Sequence, residues 1–213
     1  ELTIPAVRAP DGSLLYFVDE SVESGGLYEI EFGLSPEALD MIAARGVDHM
    51  AMALPTGQLD TWVLYYRAIL GMAAEDTFVL PDPHGLVRSK AVSDAARTIR
   101  IPLNISLGRD TVSAHFMQRQ VGAGVHHIAF ACDDIFEAAK RFGPWRILKI
   151  PENYYRDLQA RFALSDEYVA RLAAHNVLYD RIGGGEFMHF YSQVFNGRFF
   201  LEYVHRAGGY EDY

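Results

Sequence analysis

The hydrophobic pattern of this chain repeats itself. The strand-like segment VDHMAMA at residues 47–53 returns as VHHIAFA at residues 125–131, 78 residues later, with His49 falling on His127. Each copy is followed by a helical pattern and then by apolar strands. After the first, Leu59, Trp62, Val63, Tyr66, Ile69 and Leu70 fall at helical spacing over residues 58–70, with Gly71 to end the helix. Strands are predicted next over 77–80, 86–92 and 98–105. After the second copy, Asp134 with Glu137 three residues on forms a capping box and opens a helix. A strand over 146–150 follows, then a helical insert over 152–175, whose second half Ser165 can cap, and strands over 176–180, 186–195 and 198–205. Both halves read βαβββ, an α+β pattern. Residues 47–124 form the first module and 125–213 the second, with its insert at 152–175.

The segment before the repeat has a different pattern. The turn Pro10, Asp11, Gly12 and the apolar run from Leu14 to Val18 predict a hairpin within residues 1–30. Ser35 as N-cap, Pro36 at the first helical position and Gly46 beyond the end predict a connecting helix over 35–46.

The repeat also organises the candidate chemistry. Strand alternation puts His49 with Val47, Ala51 and Ala53, and His127 with Val125, Ala129 and Ala131, while turning His126 to the opposite face. One histidine on an apolar strand is ordinarily a hydrogen-bonded core residue. Two at the same step of a duplicated module point to a shared metal. Glu202, inside the apolar run FFLEYV at 199–204, is a third donor, because a carboxylate in such a run is costly unless paired or bound to a cation. Two histidines and one carboxylate form the facial set that suits non-haem Fe(II) and leaves positions open; zinc would favour a closed or water-activating site.

Composition narrows the classes. Half of the 213 residues are apolar, enough for a sizeable core. A net charge of −9, without clustered Lys and Arg, argues against a nucleic-acid partner. The one cysteine, Cys132, excludes an internal disulfide and fits a reducing, cytoplasmic compartment as a small buried thiol. No apolar stretch is long enough for a membrane span. The chain opens on Glu1, which reads as a piece of a longer protein. His84, His115, His175 and His205 read as solvated or capping residues, and Gly183, Gly184 and Gly185 as a hairpin turn.

The phrases GVDHMAMALP, PLNIS, GAGVHHIAFACDDIF and GRFFLEYVHR resemble the C-terminal half of 4-hydroxyphenylpyruvate dioxygenases, members of the vicinal oxygen chelate (glyoxalase/bleomycin resistance/dioxygenase) superfamily. VLPDPHGLVRSKA, IPENYYRDLQARF, NVLYDRIGGGEF and RAGGYEDY resemble one branch of it, the dioxygenase-like C-terminal portion fused behind a TIM-barrel 3-dehydroshikimate dehydratase. The resemblance implies paired βαβββ modules in an incomplete barrel, with residues 1–34 the remnant of a preceding module. It places the metal ligands on His49, His127 and Glu202. It places substrate contacts on Ser89, Asn104, His126 and His189, the last two where the dioxygenases carry glutamine. Phe187, Tyr191 and Phe200 are the expected aromatic wall, and His189 the expected catalytic side chain.

The implied activity is an Fe(II) oxygenase acting on dioxygen and an aromatic 2-oxo acid, with Mn, Co, Mg or Zn as other occupants of the site. A homo-oligomer, and a TIM-barrel domain in the parent chain, are the expected partners. One alternative is an accessory C-terminal domain of a 3-dehydroshikimate dehydratase, with the lyase chemistry in the barrel. A second is an extradiol ring-cleaving dioxygenase, with His189 or His126 in acid–base work.

Overall fold

The structure is a computed structural model of the chain and describes residues 4–18, 44–82 and 84–210. The helix expected over 35–46 lies almost entirely outside the described residues. Two compact units divide the chain, Glu1–Ile42 and Ala43–Tyr213. Within the first, β1 (Ala6–Arg8) and β2 (Leu14–Tyr16) pair antiparallel as a hairpin. Gly12 takes φ 89° in its turn, and the Asp11 carboxylate accepts the Ser13 N–H at 3.0 Å.

The second unit is built on one eight-stranded sheet. Its elements in chain order are β3 (Gly46–Leu54), α1 (Leu59–Leu70), β4 (Ala73–Asp82), β5 (Gly85–Ser93), β6 (Arg100–Ser106), α2 (Val112–Gln120), β7 (Gly124–Ala131) and α3 (Ile135–Phe142). Then come α4 (Glu152–Phe162), α5 (Asp166–His175), β8 (Leu178–Ile182), β9 (Gly185–Tyr191) and β10 (Phe200–Ala207). Strand order is β4-β5-β6-β3-β7-β10-β9-β8. Each βαβββ half therefore runs outward from its own first strand in the same way, with β3 parallel to β6 and β7 parallel to β10. The halves join where β3 pairs antiparallel with β7. β4 and β8 are the edges, so the barrel stays open.

Local sequence explains most of these elements. In α1, Trp62 and Tyr66 lie one turn apart and are buried, and Gly71 ends the helix at φ 66° with its N–H on the Arg67 carbonyl. Asp134 caps α3 by accepting the N–H groups of Phe136 and Glu137 at 2.8 and 3.1 Å. The expected reciprocal half of that box is absent, because Glu137 pairs with Arg141 one turn on. Ser165 caps α5, so the insert is two helices. They pack over the sheet around Ile135, Leu172, Val177 and Phe190, where the Phe190 ring stacks on Tyr203 at 5.1 Å.

Two expected strands are corrected, and one helix appears that no expectation covered. The strand over 146–150 is a 3-10 turn at Pro144–Arg146 followed by a single bridge from Ile147 to Ser192. Pro144 and Pro151 bracket that segment and leave it too short to pair further. The strand over 186–195 ends at Tyr191, since the chain turns through a bridge between Phe195 and Phe199 before β10. Helix α2 had no sequence signal, because Ser113, Ala114 and Phe116 are its buried face and two of these are small. Thr111 caps it by accepting the Ala114 N–H at 3.1 Å.

Phe190 is fully buried, so Phe190→Ala is expected to cost about 3–5 kcal/mol of stability. Urea unfolding followed by circular dichroism checks this; an unchanged midpoint would contradict its place at the centre of the core.

Candidate metal centre

The three central strands β3, β7 and β10 bring His49, His127 and Glu202 together. Across the ladders Ala129 lies opposite both His49 and Glu202, and His127 lies opposite Ala51 and Phe200. All of these side chains share one face, and Ala129 leaves space between the donors. The His49 and His127 Nε2 atoms are 3.4 Å apart, and each is 3.3 Å from a Glu202 carboxylate oxygen. The three residues are 2%, 7% and 3% exposed. They are the group of potential metal donors found among the described residues.

The donor set fits a metal ion. Histidine and carboxylate donors about 2.0–2.2 Å from one ion stand roughly 3 to 3.5 Å from each other, the spacing of this triangle. Burial opposes ionisation of Glu202, but hydrogen bonds from His127 and His49 hold its carboxyl well below the usual range. Burial lowers the His127 pKa, and Glu202 only partly offsets that. Burial also disfavours charge on His49, yet its bonds to Asp48 and Glu202 raise its pKa overall.

Asp48 is the residue of the candidate site that strand alternation hides. The β3–β7 register slips between Val47 and His49, so Asp48 is the extra residue of a β-bulge. Its carboxylate is 2.8 Å from His49 Nδ1 and accepts two hydrogen bonds from the Arg206 guanidinium, both at 3.0 Å. Arg100 stands 4.0 Å away. Nδ1–H is donated to Asp48, so in the neutral ring the Nε2 lone pair of His49 faces Glu202 and His127. Burial raises the Asp48 pKa, but His49 and Arg206 together hold it well below its ordinary value.

A second slip, between Ala51 and Met52, makes His126 the extra residue on β7. The expectation that His126 faces away from His127 is thereby corrected: both line one cavity. His126 lies edge-on to Phe116 and Phe200, and burial, with His127 beside it, lowers its pKa to about 3, so the ring is neutral.

That cavity has a volume of about 430 Å³. Asn104, Tyr191 and Phe200 line it with both histidines, as Leu80, Val87 and Leu148 do on the apolar side. The Phe200 ring stacks on His127 at 4.7 Å. Ser89 lies opposite Asn104 in the β5–β6 ladder, and Ser89 Oγ and Asn104 Oδ1 are buried without a hydrogen-bond partner. Ser89, Phe187 and His189 are not among the lining residues. Phe187 stacks on Tyr210 and beneath Arg206. His189 is half-buried against Phe187 and Tyr191, with its Nδ1 atom buried and unpartnered; burial lowers its pKa more than Glu202 raises it.

Comparison with known proteins places this geometry. Residues 46–176 match the model of the Glyoxalase/Bleomycin resistance protein/Dioxygenase superfamily. The chain belongs to that superfamily. It is 49% identical over its whole length to a 3-dehydroshikimate dehydratase of Pseudomonas putida, of which it covers 34%. To a 4-hydroxyphenylpyruvate dioxygenase of Pseudomonas aeruginosa it is 27% identical, covering 98% of this chain and 60% of that one. Among solved structures it superimposes with a TM-score of 0.78 on a fusion of a xylose isomerase-like TIM barrel with 4-hydroxyphenylpyruvate dioxygenase. Identity there is 46%, over 99% of this chain and 33% of the fusion. A mutant 4-hydroxymandelate synthase from Streptomyces coelicolor gives a TM-score of 0.68 at 26% identity, over 78% of this chain and 49% of the synthase. The chain thus spans about a third of the dehydratases it matches. The resemblance read from the sequence, to the superfamily and to its dehydratase-fused branch, is borne out. No helix among the described residues is long and apolar enough to cross a membrane.

Two outcomes follow for superfamily metal chemistry at this centre. Asp48→Asn removes the charge that orients His49 and is expected to weaken metal binding by about 10–100-fold in calorimetric titration. Because the His49 pKa is raised, its proton competes with the metal. Apparent affinity is therefore expected to climb as pH rises from about 6 through that raised value, with proton release on binding. A pH-independent affinity would contradict His49 as a ligand.

Proposed function

We propose that His49, His127 and Glu202 hold Fe(II), and that the chain is a 4-hydroxyphenylpyruvate dioxygenase-like oxygenase domain acting on an aromatic 2-oxo acid. The observation that carries this reading is the buried donor triangle whose His127 lines an apolar cavity of ring-accommodating size. Three protein donors leave coordination positions for a substrate, where a structural site would close them. Mn, Co, Mg or Zn could occupy the same donors. Bound there, the iron supplies the one-electron and dioxygen chemistry that the side chains lack.

The protein's own part is to bind, orient and keep dry. Phe200 and Tyr191 face the aromatic ring of the substrate, and Leu80, Val87 and Leu148 exclude water around it. Asn104 lines the cavity and offers an unpartnered Oδ1 that a donor on the ring can satisfy, with Ser89 opposite it in the ladder. His126, neutral and at the cavity wall, donates or accepts one hydrogen bond to the substrate where the dioxygenases use an amide. His189 lies behind the cavity wall against Tyr191, with an unpartnered Nδ1 and within the electrostatic influence of Glu202, and is the candidate to hold or pass a proton in the reaction.

His126 also favours the second reading, an accessory domain of a dehydratase with little oxygenase activity of its own. A neutral imidazole replaces one donor–acceptor pair of a carboxamide with a different geometry, which changes what the cavity can hold. Anaerobic Fe(II) reconstitution followed by oxygen-electrode assays separates the readings. Uptake is expected with aromatic 2-oxo acids, and Glu202→Ala is expected to lose both the uptake and the bound iron. Uptake with catechols alone would establish the ring-cleaving alternative. Stoichiometric iron without uptake on either class would sink both oxygenase readings and leave the accessory one.

A further inference from the structure

A second recess adjoins the metal cavity. It measures about 410 Å³ and shares Val112, His126, Val194 and Phe200 with the first. The two differ in charge. The inner cavity has Asp82 at its wall, whose carboxylate oxygens already accept the N–H groups of His84 and Val112 at 3.0 and 3.1 Å. The outer recess is lined by Arg119 and Arg198, with His84 and His115, and among the described residues no carboxylate lines it. On a chain of net charge −9, two guanidiniums facing one recess form a local reversal of sign.

These arginines come from different elements. Arg119 lies in the last turn of α2, and Arg198 lies in the connection from β9 to β10. Arg119 is held in place, because its Nη1 donates to the Gly197 carbonyl at 3.0 Å. Gly197 adopts φ +66°, and a Cβ there would stand 1.9 Å from that same Nη1. The glycine therefore lets the guanidinium lie against the turn. Among the described residues neither arginine has a carboxylate partner, so both retain donors suited to a planar anion.

We propose that the ligand of the metal cavity carries a second carboxylate remote from the metal, and that Arg119 and Arg198 bind it in the outer recess. The metal face takes one anionic end, the wall of Phe200 and His126 takes the ring, and the guanidiniums take the other end. This deepens the aromatic 2-oxo acid reading and rests on it. It makes the substrate a dicarboxylate and makes the two arginines determinants of specificity.

The test uses the Co(II)-loaded chain, titrated calorimetrically with phenylpyruvate and with 4-carboxyphenylpyruvate. The ring-carboxylated acid is expected to bind about tenfold more tightly. The Arg119→Gln/Arg198→Gln double variant is expected to bind the two acids alike. Arg198→Gln alone, which breaks no hydrogen bond within the described residues, is expected to give an intermediate ratio. Equal affinities in the unaltered chain, or an undiminished preference in the double variant, would overturn the proposal. Terephthalate, titrated into the metal-free chain, probes the recess without the metal. Arginine-dependent terephthalate binding, with neither oxo acid bound, would remove the 2-oxo acid reading and leave the recess standing. Absence of binding by all three compounds would overturn both.

Discussion

A carboxylate sealed in the middle of a β-sheet must be neutralised, and the rest of this molecule is arranged around that requirement. Glu202 sits in an apolar strand and is 3% exposed. An unpaired ionised group there would cost several kcal/mol. Two histidines, one from each half of the repeat, meet it at 3.3 Å. They arrive there because β3 and β7 pair antiparallel at the centre of the sheet and β10 runs parallel beside β7. The same contacts that neutralise the carboxylate bring three donors within bonding distance of one ion.

The chain of constraint continues outward. His49 is oriented by Asp48, and Asp48 is held by the Arg206 fork, so a positive charge near the end of β10 fixes a candidate metal donor on β3. Phe187 and Tyr210 in turn flank that guanidinium. Such outer contacts set ligand basicity and tautomer as effectively as the donors themselves. The cavity depends on the same joint, since the bulge that carries His126 supplies one of its walls.

Much of this was legible in the sequence, because duplication is a strong signal. The repeated strand marked His49 and His127, the apolar run marked Glu202, and the order βαβββ appeared twice. Departures from regularity carry no such signal. Alternation assigned Asp48 and His126 to the far face, and two one-residue bulges return them to the site. Residues 146–150 are apolar enough for a strand, but one bridge is all the pairing that two flanking prolines leave. Helix α2, which carries Arg119 and forms part of both recesses, has a buried face of Ser113, Ala114 and Phe116 that resembles no helical stripe. Periodicity reports the average path of a strand or helix, whereas Asp48 and His126 lie where the path deviates.

Anomalous diffraction at the iron edge, from crystals of the Fe(II)-loaded chain, tests the central claim most directly. The account predicts one peak per chain, within bonding distance of His49 Nε2, His127 Nε2 and a Glu202 carboxylate oxygen. A peak at any other position, or full iron content with no peak between these three side chains, would contradict it.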